Sequence, residues 1–125
     1  MRVLIVEPSK DLAGIISESF IQEDIIADVA HTAQAGISRA DKNKPDIVVL
    51  ELLISEHNGL EFIHEFKSYH DWFDIPIIIY SDLSSEELGR AVGWREDMNI
   101  IGHLYKPTAS LKELKEYVKS AFDEN

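Results

Sequence analysis

Short, almost wholly apolar runs alternate along this chain with longer stretches in which apolar residues recur every three or four positions. The short runs predict strands buried on both faces, and the longer stretches predict helices that bury one face. A helical stretch follows each run, the last at about residues 109–122. We therefore expect five βα units, with strands at about residues 2–6, 25–30, 46–50, 76–80 and 100–105.

This alternation predicts an α/β architecture. Strands that are apolar on both faces need helices on both sides, and right-handed crossovers then give an open, doubly wound parallel sheet. No linker, internal repeat or low-complexity segment interrupts the pattern. We therefore expect a single domain that covers residues 1–125.

Helix-start signals agree with these boundaries. Ser9 and Thr32 are suited to cap the first two helices, and Ser84–Glu87 has the form of a capping box. Asn58–Gly59 is a turn signal before the third helix. Within the second helix, Gly36 either weakens the helix or allows another element to approach closely.

Composition narrows the choice of partners and compartment. The chain has 12 basic and 23 acidic residues, so its net charge of −11 would repel nucleic acid and anionic membranes. It has no cysteine, which excludes disulfides and thiolate metal sites. No apolar run approaches the ~20 residues that span a bilayer, and from the sequence we expect no leader segment before the first strand. From these absences we expect a cytoplasmic protein.

Polar side chains follow four of the predicted strands, where each strand ends. They are Glu7, Glu51, Ser81 and Lys106. The carboxyl ends of strands in an open α/β sheet are where such folds build their sites. The first loop, residues 6–11, contains a proline and a carboxylate but no glycine, which argues against a dinucleotide or flavin phosphate site.

Five segments together resemble the receiver domain of two-component response regulators, over essentially the whole chain. The segments are Arg2–Glu7, Pro45–Glu51, Asn58–Glu61, Ile75–Ser81 and Lys106–Pro107. The resemblance implies a flavodoxin-like, five-stranded parallel sheet in the order 2-1-3-4-5, with helices on both faces.

The resemblance also implies a role for each strand end. Receivers accept a phosphoryl group on an aspartate after the third strand, and two acids after the first strand help to hold Mg²⁺. A Ser or Thr and a Lys bind the phosphoryl oxygens, and these positions correspond here to Ser81 and Lys106. The resemblance further implies a switch aromatic at the position of His103 and a cis peptide bond at Lys106–Pro107.

The chain departs from this pattern at the positions that matter most for phosphotransfer. Glu51 replaces the acceptor aspartate and carries its carboxylate at most roughly 1.5 Å further out. In phosphoryl transfer, a misplacement of about 1 Å can lower the reaction rate by ~10²-fold. Pro8 replaces the second acid and so removes a Mg²⁺ ligand. Asp82 puts a carboxylate where an incoming phosphoryl group would pass, or restores a third acid, and His103 replaces the switch aromatic.

Our leading hypothesis is a pseudo-receiver in which Lys106 pairs with Glu51, and with Glu7 as well, so that the pocket is held in one state. It would signal by protein–protein contact without phosphotransfer. We expect a protein partner or a homodimer to bind through the region from Leu88 to Phe122, which contains the fourth helix, the fifth strand and the fifth helix. Trp94, Met98 and Tyr105 would lie on or near that face.

Two other functions stay open at this point. In the first, Mg²⁺ binds through Glu7 and Glu51 and phosphoryl transfer still occurs. In the second, the chain is a small enzyme on the same sheet, although it shows no nucleophile–base pair and no cofactor loop, so we expect neither catalysis nor a resident cofactor. The histidines lack metal-ligand spacing, and His103 is either a packing residue or a pH-sensitive switch.

Overall fold

The five predicted strands form one parallel sheet in the order β2-β1-β3-β4-β5. The computed structural model describes residues 1–54, 59–88 and 98–123. The strands are β1 Arg2–Val6, β2 Ile26–Ala30, β3 Ile47–Leu50, β4 Ile77–Ser81 and β5 Ile100–Tyr105. This sheet confirms the predicted fold, because each strand begins and ends within one residue of its expected position.

Helices follow the strands as the apolar periodicity predicts. They are α1 Lys10–Ile21, α2 Ala33–Lys42, α3 Gly59–Ser68, α4 Ser85–Leu88 and α5 Leu111–Asp123. A short 3₁₀ turn, His70–Trp72, lies between α3 and β4 and has no counterpart in the prediction. Helix α5 begins at Leu111 because Ser110 caps it: the Ser110 hydroxyl accepts the N–H of Glu113 at 3.2 Å.

Side-chain caps start the helices as expected. The Ser9 hydroxyl accepts the N–H of Leu12 at 3.2 Å, and the Thr32 hydroxyl accepts the N–H of Ala35 at 3.0 Å. The Ser84–Glu87 capping box is reciprocal, with bonds of 3.0 and 3.1 Å between side chains and backbone N–H groups. Asn58 of the predicted turn lies outside the described residues.

The sheet separates two apolar layers. Val6 and Leu50 face the layer that contains Phe62 of α3, whereas alternate strand residues face the layer that contains Phe20 of α1 and Val118 of α5. Each fully buried large apolar side chain contributes about 1.5–3 kcal/mol relative to an exposed one. Burial on both faces therefore holds the strands in the one register that aligns their carboxyl ends.

Gly36 lets α2 approach its neighbours closely, which decides between the two interpretations of this residue. A Cβ atom at Gly36 would lie 2.9 Å from Cε2 of Phe62 and 3.0 Å from Cγ2 of Val6. Both neighbours are fully buried and have little room to move. A Cβ at Gly14 in α1 would instead meet nothing within 4 Å.

We expect Gly36→Ala to destabilise the protein by about 1–2 kcal/mol, because the clash in a packed core outweighs the gain in helix propensity. Gly14→Ala is the matched control and should stabilise by about 0.5–1 kcal/mol. Urea denaturation of the two variants measures both values. Equal stabilisation by both substitutions would show that α2 does not pack closely against Phe62.

Candidate functional site

The strand register gathers the predicted polar residues at one edge of the sheet. Val6 of β1 pairs with Leu50 of β3, so Glu7 and Glu51 leave the sheet side by side. Ser81 of β4 pairs with Tyr105 of β5, so Lys106 follows directly beside them. The four strand-end residues that the sequence singled out therefore share one pocket.

Lys106 lies between the two glutamates and pairs with both. Its Nζ donates to Oε1 of Glu7 at 2.6 Å and to Oε1 of Glu51 at 2.8 Å. The side chains are 11% exposed for Lys106, 4% for Glu7 and 3% for Glu51. The predicted pairing of Lys106 with both carboxylates is thus confirmed, and it is almost shielded from water.

Four donors occupy the carboxylate of Glu51. Oε1 accepts from Lys106 and from the backbone N–H of Asp82 at 3.1 Å. Oε2 accepts from the backbone N–H of Leu53 at 2.9 Å and from the hydroxyl of Ser81. A carboxylate accepts about four hydrogen bonds, so the two oxygens of Glu51 are fully used by the protein itself.

These contacts keep the pair charged. Burial by itself raises the pKa of Glu51, but the hydrogen bonds from Leu53, Lys106, Ser81 and Asp82 together outweigh burial and hold that pKa below its ordinary value. Burial likewise lowers the pKa of Lys106, and the two glutamates outweigh it, so the pKa of Lys106 is raised. Glu51 and Lys106 therefore both stay ionised near neutral pH.

Glu7 is held on both of its polar sides. Its Oε2 accepts the backbone N–H of Ser9 at 2.9 Å, and its carbonyl oxygen accepts from Nδ1 of His31 at 3.0 Å. Pro8, between Glu7 and Ser9, is partly exposed and offers neither an N–H nor a carboxylate. No sequence pattern pointed to His31, because its partner is a backbone atom.

Asp82 lies at the mouth of the pocket. Its carboxylate is 3.8 Å from Nζ of Lys106, and its side chain is 61% exposed, far more than the other acids of the site. Its backbone N–H, by contrast, is bound to Glu51. Asp82 thus adds negative charge at the surface of the pocket without entering the network of direct hydrogen bonds between side chains.

His103 of β5 connects the pocket to the loop that follows β4. Its Nε2 donates to the carbonyl oxygen of Leu83 at 2.7 Å, and the N–H of Leu83 donates to the hydroxyl of Ser81 at 2.9 Å. Because Ser81 also binds Glu51, hydrogen bonds connect Glu51 to His103 through Ser81 and the backbone of Leu83.

One expectation, a cis peptide bond, is wrong. The Lys106–Pro107 peptide bond is trans, the isomer that an X–Pro bond prefers by about 0.5–1 kcal/mol, and Lys106 reaches both glutamates in that form. Of the residues expected on or near the partner face, Met98 is buried in the apolar layer of α2 and α3. Tyr105 is partly exposed, and Trp94 lies outside the described residues.

The residues present do not fit a Mg²⁺ ion. Magnesium requires near-octahedral oxygen ligands, but the facing oxygens of Glu7 and Glu51 are bound to an ammonium group. Pro8 supplies no ligand. Within residues 1–54, 59–88 and 98–123, no group of three or more acidic, histidine or cysteine side chains is arranged to hold a metal.

The sequence corresponds to a known family. The sequence model of the response regulator receiver domain matches residues 3–119. The chain therefore belongs to the receiver domain family of two-component response regulators, whose members are signalling modules. No helix in the described part of the chain is long and apolar enough to cross a membrane.

Relatives at about 30% identity agree with this assignment. The KDP operon transcriptional regulatory protein KdpE of Escherichia coli is 30% identical over 84 residues, which cover 67% of this chain and 36% of KdpE. A protein-glutamate methylesterase/protein-glutamine glutaminase of Treponema denticola is 32% identical over 88 residues, which cover 69% of this chain and 23% of that protein. The chain thus spans only about a third or less of these relatives.

Solved structures share the fold. A sensor protein from Polaromonas sp. JS666 superposes with a TM-score of 0.85 at 19% identity, covering 98% of this chain and 96% of that one. The receiver domain of the Francisella response regulator 1452 gives a TM-score of 0.81 at 22% identity, covering 98% and 97%. At these sequence identities, the structural likeness shows a shared fold and nothing further about function.

Removing the cation of the pocket should be costly. We expect Lys106→Met to lower the free energy of unfolding by about 3 kcal/mol, because it leaves two buried carboxylates unpaired. Adding Glu51→Gln should recover part of that loss, since one stranded charge disappears. Urea denaturation of the wild type, the two single variants and the double variant measures the coupling. Strictly additive losses would contradict the pairing.

The pKa shifts predict a pH dependence. Because the pKa of Glu51 is lowered from 4.5, its contribution to stability is present above about pH 4.5 and is lost as the pH falls through the folded value. Because the pKa of Lys106 is raised from 10.5, its contribution is present below that pH and is lost as the pH rises further. Between about pH 7 and pH 3, stability should fall more steeply in the wild type than in Glu51→Gln. Parallel urea midpoints for the two proteins would contradict this assignment.

Proposed function

We propose that this receiver domain signals by protein–protein contact and does not undergo phosphorylation, with Glu51 as a fixed substitute for a phosphorylated aspartate. The observation that carries the proposal is the Lys106 ammonium bound to both buried carboxylates, at 2.6 Å from Glu7 and 2.8 Å from Glu51. In this proposal the chain is a single, non-enzymatic domain that works in the cytoplasm.

The state of Glu51 opposes its use as a phosphoryl acceptor. An attacking carboxylate oxygen must be free and in line with the leaving group, whereas both oxygens of Glu51 are bound by donors within the protein. An incoming phosphoryl donor would also meet the negative charges of Glu7 and Asp82. Pro8, at the position of the second acid, offers no metal ligand that would offset this repulsion.

The same contacts support a role for Glu51 as a permanent signal. In the family, a lysine and a hydroxyl bind the phosphoryl oxygens, and here Lys106 and Ser81 bind the oxygens that the longer arm of Glu51 carries toward them. Leu83 and His103 continue the network from there. Glu51, Ser81, His103 and Lys106 would thus fix the loop after β4 in one arrangement.

The second candidate is a working phosphorelay receiver. Its support is that Ser81 and Lys106 are both retained in the pocket. It requires Lys106 to release Glu7 and Glu51 so that Mg²⁺ can bind them, at the cost of a nearly buried ion pair. An enzyme has less support, because the hydroxyl of Ser81 binds Glu51 while His103 binds a backbone carbonyl, so the two do not form a nucleophile–base pair.

The partner surface in this proposal is the region from Leu88 to Phe122. It contains Leu88 at the end of α4, the whole of β5 and α5 as far as Phe122, and it adjoins the loop that His103 and Ser81 fix. Its occupant would be a protein or a second copy of the chain. Nucleic acid and anionic membranes are disfavoured by the net charge of −11.

Phosphorylation can be tested directly. We expect no phosphoryl adduct on intact mass after incubation with phosphoramidate or acetyl phosphate and Mg²⁺, because the oxygens of Glu51 are occupied. The matched control combines Glu51→Asp with Pro8→Asp, which restores the shorter arm and the missing acid. That variant should acquire an acid-labile adduct.

A stoichiometric adduct on Glu51 of the wild type would overturn the proposal. So would saturable quenching of tryptophan fluorescence by millimolar Mg²⁺ in the wild type, which would favour the phosphorelay. If the restored variant also failed to react, the correspondence between this pocket and the receiver site would be wrong.

A further inference from the structure

A groove separates α2 from α3 on the side of the molecule that carries the Phe62 layer. It has a volume of about 420 Å³ and is bounded at one end by the 3₁₀ turn. Its apolar surface comes from Ile37, Tyr69 and Trp72. Trp72 is buried and stacks on Phe66 at 5.0 Å between ring centroids, whereas Tyr69 is 44% exposed and meets Trp72 edge-on at 4.8 Å.

Three carboxylates surround this aromatic floor. They belong to Asp41 of α2, Glu65 of α3 and Asp71 of the 3₁₀ turn, and all three residues are exposed. Among the described residues none of them forms an ion pair. The rim therefore carries three negative charges that no cation of the described chain offsets by direct contact.

The nearest cation along α3 is directed elsewhere. Lys67 is buried, and its ammonium donates to the carbonyl oxygens of Phe73, at 2.9 Å, and Ile75. The ammonium of Lys67 is therefore bound to the backbone before β4 and makes no ion pair with the carboxylates of the rim. This contrasts with the pocket at Lys106, where the ammonium is placed between the acids.

The negative potential of the groove acts on the tyrosine within it. The charge of Glu65, together with its hydrogen bond to the Tyr69 hydroxyl at 3.3 Å, raises the pKa of Tyr69, and Asp41 adds to the effect. An exposed aromatic ring beside uncompensated carboxylates is the chemical environment that stabilises a cation.

We infer that the groove between α2 and α3 is a docking site for an arginine-bearing segment of a partner protein. A guanidinium group can stack on the face of Tyr69 while it donates in a forked geometry to Glu65 or Asp41. The aliphatic part of the segment would lie on Ile37 and Trp72. A lysine offers a point charge without the planar stacking surface, so arginine fits better.

Other occupants match the groove less well. A second copy of this chain would add its own net charge of −11, which opposes self-association at an acidic rim. Phosphate-bearing ligands meet the same repulsion. The inference does not depend on the state of Glu51, because the groove shares no residue with that pocket, so each proposal can fail without the other.

The test uses a defined probe, a short acetylated and amidated peptide of alternating arginine and leucine. We expect saturable changes in the ¹H–¹⁵N chemical shifts of residues 34–41 and 65–72 when the peptide is added to the whole chain. The same peptide with citrulline in place of arginine has the same shape without the charge. It should bind at least about tenfold more weakly, equivalent to about 1.4 kcal/mol.

Matched variants separate a specific site from general attraction to an acidic protein. Asp41→Asn, Glu65→Gln and Asp71→Asn combined should weaken binding of the arginine peptide by about tenfold or more. Asp11→Asn, Glu18→Gln and Glu116→Gln combined remove the same charge from exposed positions elsewhere. They should change binding by less than about threefold, since only long-range attraction is lost. Urea denaturation confirms that both triple variants fold.

Three results would overturn the inference. Equal weakening by the two sets of substitutions, or changes spread over the whole surface, would indicate non-specific charge attraction. Equal binding of the citrulline peptide would remove the role of the cation. A concentration-dependent dimer that disappears only in the groove variant would assign the groove to a second copy of the chain.

Discussion

The contact between the ammonium of Lys106 and the carboxylates of Glu7 and Glu51 is the constraint on which the functional edge of this sheet depends. Each of these charges would be costly to bury alone, and each is buried only because the others are present. Parallel pairing of β1 with β3 delivers the two acids side by side, and β5 delivers the cation. The strand order therefore brings the three charges together, and their mutual pairing in turn makes their burial tolerable.

Glu51 extends that constraint to most of the loops around it. Through its four acceptor contacts it holds Leu53 after β3, Ser81 at the end of β4 and Asp82 in the next loop, in addition to Lys106. An aspartate at this position would be roughly one methylene short of these same groups. The longer arm is what allows the side chain to complete this network.

The sequence predicted those parts of the molecule that side-chain patterns encode. Apolar periodicity defined all five strands, and the resemblance to receiver domains supplied their order in the sheet. Opposite charges at strand ends predicted the pairing of Lys106 with both glutamates. Leu53 and Asp82 escaped prediction as donors to Glu51, because every residue except proline has a backbone N–H. His31 binds a backbone carbonyl and Met98 is buried by tertiary packing, and neither relation depends on a neighbouring residue in the sequence.

Burial explains why two groups of acids in this strongly anionic chain differ. In the Glu51 pocket, water is nearly excluded, so an uncompensated carboxylate would destabilise the fold and the chain supplies its own cation. On the rim between α2 and α3, water solvates Asp41, Glu65 and Asp71, and folding requires no counter-charge there. A charge that folding leaves unpaired remains available to a partner, whereas the charge of Glu51 is already committed to Lys106. The two regions therefore differ in the way that our proposals require, with a fixed internal charge at Glu51 and unpaired charges on the rim that can meet a cation from outside.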